Sequence, residues 1–287
     1  MSLRGPIALS LLTMVSGCAP LGPTTKSKST NPLPAARLAP DAVVVDVAFV
    51  SLGSNDAEIY STVWKAADEQ PLPPELRRRL ERNGLRVGVF GQQLPAQLNA
   101  LLDVKPNLLE SISQGDAGEL QLDGNRQHIP LRAGHRAVIK ASNVFPILPV
   151  LLSEDGTVHG QQLIDARCIV SLKSHPLGDG RVKLLLTPEI EHGEAKTRWL
   201  GSEGMMIQHT GQDRLILDQL AWEALLRPGE SLLVGPTADT KGLGEYFFQG
   251  LGKAAQRRLL VIRYSQSQFD DLFAREQTSA PLVTPGE

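Results

Sequence analysis

The chain has 287 residues, a formal net charge of −2, 21% charged residues and 41% hydrophobic ones. That is globular composition rather than disorder, with room for one large domain or two smaller ones. The near-neutral balance excludes a protein organised around nucleic-acid phosphate, which needs a concentrated basic face.

The first 17 residues read as an export leader. Arg4 supplies a positive start, and Ile7 to Val15 form an apolar run too short to span a bilayer. The run ends in Val15-Ser16-Gly17-Cys18, which resembles the lipobox of bacterial lipoproteins. The resemblance implies cleavage before Cys18, a diacylglycerol on its sulfur and acylation of its new amine. Two or three acyl chains hold far more firmly than one, at about 0.8 kcal/mol per buried methylene. Ala19 stands where an aspartate would favour inner-membrane retention, so the implied address is the outer membrane, facing the periplasm. The alternative is an ordinary leader cut near Gly17 that leaves Cys18 a free thiol. Residues 18–41, rich in Pro, Ser, Thr and Lys, read as a flexible tether with a reach of roughly 25 Å. No later segment is long and apolar enough to be a membrane helix.

The expected fold class is α+β: a small α/β sandwich over 42–115, a mainly antiparallel β domain over 116–276, and a frayed tail over 277–287. Val43 to Val50 is a β-branched run that predicts a buried strand. Asp56 is placed to cap a helix carrying Ile59, Tyr60, Val63, Trp64 and Ala67 on one face. Pro73-Pro74 opens a second helix, and Asn83-Gly84 ends it as a left-handed stop. Arg86 to Phe90 predicts the next strand and Leu94 to Leu102 a third helix. Arg77, Arg78, Arg79 and Arg82 read as the solvated side of the second helix, whose Leu76 and Leu80 face inward.

From Gly118 the punctuation changes. Glu119 to Leu122 and His128 to Leu131 flank Asp123-Gly124-Asn125, which predicts a hairpin. Val138 to Lys140 continues the sheet, and Leu148 to Leu152 is a further apolar run closed by Glu154-Asp155-Gly156. Leu163 to Lys173 is the clearest strand. Ile164, Ala166, Cys168, Val170 and Leu172 point one way, and Asp165, Arg167, Ser171 and Lys173 the other. A Leu177-Gly178-Asp179-Gly180 turn leads into Val182 to Thr187, and Pro188 is expected to end ladder pairing or mark an edge. Later strands fall at Met205–His209, Leu215–Leu217, Ser231–Val234 and Leu259–Tyr264, the third entered through the turn Arg227 to Glu230. Cys168 falls on an apolar face and reads as a packed, inert thiol.

The C-terminal half resembles the C-domain of secretins, the ring-forming channels of type II and type III secretion and of pilus machinery. Asp165 to Lys173, the Gly178-Asp179-Gly180 turn and Val182 to Ile190 look like its paired strands. Arg227 to Gly235, Gly242 to Phe248 and Arg258 to Ile262 are similar to its later turn, lip and last strand. The chain departs from that family in having at most one α/β unit before this region. It also shows no pair of long amphipathic strands able to line a barrel, since Glu194 to Gln219 is interrupted by Gly201, Gly204 and Gly211. Trp64, Asp68-Glu69 and Asn83 to Gly88 resemble a stretch recurring in planctomycete lipoproteins, from which no activity transfers.

Catalytic signatures are missing from this reading. The six histidines include no helical zinc pair and no H-E-x-x-H, and there is no G-x-S-x-G elbow or phosphate loop. Glu189, Glu191, His192 and Glu194 form one dense polar cluster, read as scattered polar side chains facing solvent rather than a cation site. The expected function is therefore non-enzymatic: an envelope-anchored lipoprotein with a structural or assembly role, a secretin-like component that forms or joins a ring. Its expected partners are membrane lipid through Cys18 and other proteins or further copies of itself, with no nucleic acid, cofactor or metal. Two other classes stay open. A periplasmic hydrolase would show a deep pocket with convergent polar groups of perturbed pKa, and a small-ligand lipoprotein an apolar cavity without them.

Overall fold

The β-branched run forms β1 (Ala42–Leu52), buried throughout except at Val44 and Ser51. A strand buried on both faces belongs in the middle of a sheet. Accordingly β1 lies between β4 (Gln127–Arg132) and β12 (Arg257–Gln268), antiparallel to both. The computed structural model describes residues 42–53, 56–103, 119–120, 126–154, 156–202, 205–249 and 257–268, all within one compact unit.

After β1 comes α1 (Ala57–Ala66), with Tyr60, Val63 and Trp64 buried as their spacing predicts. Asp56 stands at its N-cap, but its carboxylate turns back to accept the Gly53 N–H at 2.7 Å instead of capping the helix. Proline at the first position opens α2 (Pro74–Arg82), and Gly84 at φ +79° ends it. β2 (Leu85–Phe90) and α3 (Ala96–Leu102) complete this region.

These pieces do not close into a sandwich of their own. The five-stranded sheet has the order β2-β11-β12-β1-β4, so β11 (Ser231–Pro236) and β12, from the far end of the chain, separate β1 from β2. The reason is that this sheet is apolar on both sides. Val50, Leu52, Leu233, Leu259 and Val261 pack under α1 and α3, while Val43, Val45, Val47, Leu232, Leu260 and Ile262 face the other way. Two helices cover one side only, and the other needs a second layer.

That layer is a second sheet of order β10-β8-β7-β5-β3. Its strands are β3 (Glu119–Leu120), β5 (Arg136–Lys140), β7 (Thr157–Pro176), β8 (Val182–Ser202) and β10 (Trp222–Leu226). β6 (Phe145–Glu154) pairs with the first half of β7, and β9 (Met205–Ile216) with the outer half of β8. Among the described strand pairs only β3–β5 is parallel, so the chain is mainly antiparallel β with few helices. The described residues thus form three layers: α1 and α3, the first sheet, the second sheet. Short α4 (Gly242–Phe248) and α2 close one end, packing on β6.

Three expectations are corrected. The Asp-Gly hairpin does not form, because β3 joins the second sheet while β4 joins the first, with Ile129 and Leu131 buried beside β1. Pro130 is tolerated there because β4 is an edge. Met205–His209 and Leu215–Leu217 are not two strands, since β9 runs unbroken from Met205 to Ile216. Pro188 does not stop β8. It lies opposite Val170 on one side, and on the other its carbonyl accepts the Leu217 N–H at 3.1 Å. In a strand the N and C=O of a residue point the same way. The missing donor of Pro188 therefore faces the gap where β10, paired as far as Leu186, hands over to β9, paired from Glu189.

Candidate functional site

Two long hairpins leave this framework. The first, β6–β7, pairs Phe145 with Ala166 through to Glu154 with Thr157, and Gly156 turns its tip at φ +84°. Leu148, Val150 and Leu163 are buried on its inner side. On its outer side Ile147, Leu151, Val158 and Ile164 are 58%, 56%, 65% and 62% exposed. Ile147 lies opposite Ile164, and Leu151 opposite Gly160. From Ile147 to Ser153 and from Val158 to Ile164, the eight alternate positions on this face include no charged residue. The sequence reading put Ile164 in the core beside Ala166. The two do share a row, but Asp165 between them has φ +48°, and past it the outward row turns inward at Ala166, Cys168, Val170 and Leu172.

The hairpin rests on α2 and α4. Asn83, only 1% exposed, donates from Nδ2 to the Ser153 carbonyl at 3.0 Å and accepts the Ser153 N–H on Oδ1 at 2.8 Å. Its side chain thus pairs with β6 as a neighbouring strand would, while Nδ2 also reaches the Arg79 carbonyl at 2.9 Å. Beneath it Gly84 and Gly244 meet backbone to backbone, the Gly244 N–H donating to the Asn83 carbonyl at 3.1 Å. A Cβ on Gly244 would lie 1.7 Å from the Gly84 oxygen, so only glycine fits. Phe145 meets Tyr246 of α4 edge-on at 5.7 Å.

The second hairpin, β8–β9, runs through the stretch expected to be interrupted by its glycines. β8 has 21 residues and β9 has 12, and Lys196–Ser202 pairs with Met205–Gly211 despite Gly201 and Gly211. The ladder shifts once, between His192 and Lys196, where Gly193 has φ +74°. At its base the Glu189 side chain, 5% exposed, is held by Arg136 of β5 at 2.6 Å and Arg214 of β9 at 3.5 Å. A buried carboxylate demands such partners. Here they tie three strands together.

The other candidate residues are scattered. Cys18 lies outside the described residues. Cys168 is fully buried, and burial pushes its thiol up to about 12. Glu189, Glu191, His192 and Glu194 run along β8 rather than sitting in a turn, and His192 faces Asp213. No group of three or more His, Cys, Asp or Glu able to hold a metal occurs among the described residues. Arg78 pairs with Glu75 at 3.2 Å and Arg79 donates to the Gln219 carbonyl at 3.1 Å, so two of the four helix arginines are engaged locally. His128 contacts Asp46 across β4–β1, with Arg126 at 3.8 Å. Pairing across an edge strand accounts for that contact.

A cavity of about 250 Å³ opens between the end of β1, α1 and α4. Leu52, Ala57 and Phe248 line it, with Asp56, Glu245, Tyr60 and Arg257. Tyr60 donates its hydroxyl to the Pro236 carbonyl at 2.6 Å, and burial raises its pKa. Arg257 lies over the Tyr60 ring at 4.4 Å and donates to Ala238 and Thr240. Several of these polar groups hold the walls together, and among the described residues the lining includes no Ser, Cys or His.

Sequence reading missed β10 and the Asn83 pairing. Buried Trp222, Ala224 and Leu226 alternate with exposed Glu223 and Leu225, so a period-two signal was there to find. Nothing local distinguishes Asn83 from an ordinary helix stop. No protein-family model matches the chain, and no curated protein or solved structure matches it.

Proposed function

We propose that this chain is an envelope-anchored, non-enzymatic lipoprotein, a secretin-like structural component that assembles with further copies or protein partners through its hairpins. The observation that carries the reading is the outer face of β6–β7, uncharged over eight positions with four large apolar side chains more than half exposed. Such a contiguous face on one element marks an interaction surface. The length of β8–β9 adds support, because a long antiparallel ribbon whose outer half has no further partner among the described residues offers backbone edges for pairing with another chain. The proposed anchor is the acylated Cys18 in the outer membrane, with the folded part in the periplasm.

The test is the size of the full chain extracted from its native membrane in mild detergent, beside Cys18→Ser and Ile147→Asp/Leu151→Asp variants. A large species is expected, lost from membranes in the first variant and broken up in the second. A membrane-bound monomer in the unaltered chain overturns the assembly role. The second reading, a small-ligand lipoprotein, rests on the cavity beside Tyr60 and Arg257. It gains if small polar ligands raise the melting temperature and an Arg257→Ala variant loses that response.

A further inference from the structure

The outer face of the second sheet is basic, and the helix layer on the opposite side of the molecule is acidic. Cross-strand pairing puts Arg136, Lys173 and Lys183 on the outer face together with Lys140, Arg167 and Arg214. Three acidic residues share it: Glu189, Glu191 and Glu223. Two of these are already engaged, Glu189 by Arg136 and Arg214, and Glu223 by Lys183 at 3.3 Å. Between the charges lie Ile169 and Ser171, buried at the centre of the face, Val138 and Leu185, half-buried, and Leu225, exposed.

On the far side α1, α3 and their flanks present Asp56, Glu58, Asp68 and Asp103 against Lys65 and, over the Tyr60 ring of α1, Arg257. Glu69, in the same region, is committed to Arg86 at 2.6 Å. The first sheet and the core lie between the two faces, so one molecule cannot bring them together. A second copy can.

We propose that copies of this chain stack head to tail, the outer face of the second sheet of one copy docking on the α1/α3 layer of the next. This rests on the assembly role proposed above and names its contact. The surfaces differ, so the contact is heterologous and propagates into a ring or an open row according to the rotation between copies. Strand and residue spacings make the basic face roughly 27 Å by 14 Å, about half of what one partner gives to a standard interface. The charges therefore set orientation and approach, and the hairpins supply further area. A membrane of anionic lipid offers the same negative charge, but the complement carried by the chain itself favours a second copy.

The experiment compares the full chain in mild detergent with Lys173→Glu/Lys183→Glu, with Glu58→Lys/Asp103→Lys, and with all four changes together. Each pair alone is expected to weaken association at least about tenfold and to flatten its salt dependence, while the combined variant recovers most of it. Unchanged far-ultraviolet circular dichroism and melting verify the fold of each variant. An unaltered chain that never assembles overturns the assembly role and this contact with it. Assembly that ignores both reversals, or is not restored by their combination, overturns the contact alone. So does a Lys173→Glu/Lys183→Glu chain that assembles normally but no longer binds phosphatidylglycerol vesicles, because the face then belongs to the membrane.

Discussion

The two hairpins leave the same sheet on different terms. β6–β7 lies down: Leu148, Val150 and Leu163 are buried, and Asn83 holds the strand at Ser153. β8–β9 continues outward, and from Glu194 to Thr197 its residues are exposed. Strand length does not separate them. What differs is a floor: one hairpin has two helices beneath it, while the other has a charged clamp at its root and nothing described beneath its outer half. Local stability should follow that division.

The comparison breaks most readily at the floor. Gly244→Ala places a Cβ against the Gly84 oxygen and is expected to cost about 4 kcal/mol in urea unfolding, with faster amide exchange along β6–β7. Asn83→Leu keeps the volume but strands the Ser153 groups; about 2 kcal/mol should be lost, and exchange should quicken in β6–β7 but not in β8–β9. Glu189→Gln reverses that selectivity. It leaves Arg136 and Arg214 without their counter-charge, and because both are partly solvated the loss should be about 1–2 kcal/mol, with exchange rising at the base of β8–β9.

Cys168 sharpens the picture through pH. Burial raises its thiol from 9.0 to about 12, so the folded chain keeps a proton that the unfolded chain releases above pH 9. Its stabilising contribution is intact below pH 9 and falls as pH rises toward 12. A Cys168→Ala chain should show a shallower alkaline decline in melting temperature, and iodoacetamide should label Cys168 at pH 8 only on unfolding. The smallest stability effect belongs to Ile147→Asp, within about 0.5 kcal/mol of the parent, since this side chain is 58% exposed. Its effect should instead be seen in assembly.

Elements whose signal is local were legible before any coordinates. β1, α1, α2 and the Leu177 to Gly180 turn stand within a residue or two of where β-branching, helical spacing, Pro and Gly put them. What a strand pairs with was not legible. Glu119-Leu120 and His128 to Leu131 carry hairpin punctuation between them, yet they join different sheets, because the partner is chosen by which apolar face remains uncovered. Pro188 and Gly201 misled for the same reason. A residue rule for strands is a rule about neighbours, and Pro188 sits where no neighbour asks for its N–H. The candidate surfaces were less visible still. Ile164 and Ala166 share a period-two row, and only the backbone at Asp165 decides that one is bare and the other covered.

The side-chain amide of Asn83 has one more consequence, for how this region can change length. It reads a single peptide position in β6, while Phe145 is separately fixed against Tyr246 at the other end of the strand. Adding or removing one residue between those two points would bring Leu152 or Glu154 to the amide and turn the apolar inner row out to water. Length variation should therefore be confined to the tip, between Glu154 and Thr157, where an insertion leaves both fixed points untouched. A tag or a labelling site placed there should be tolerated, whereas the same insertion eight residues earlier should not.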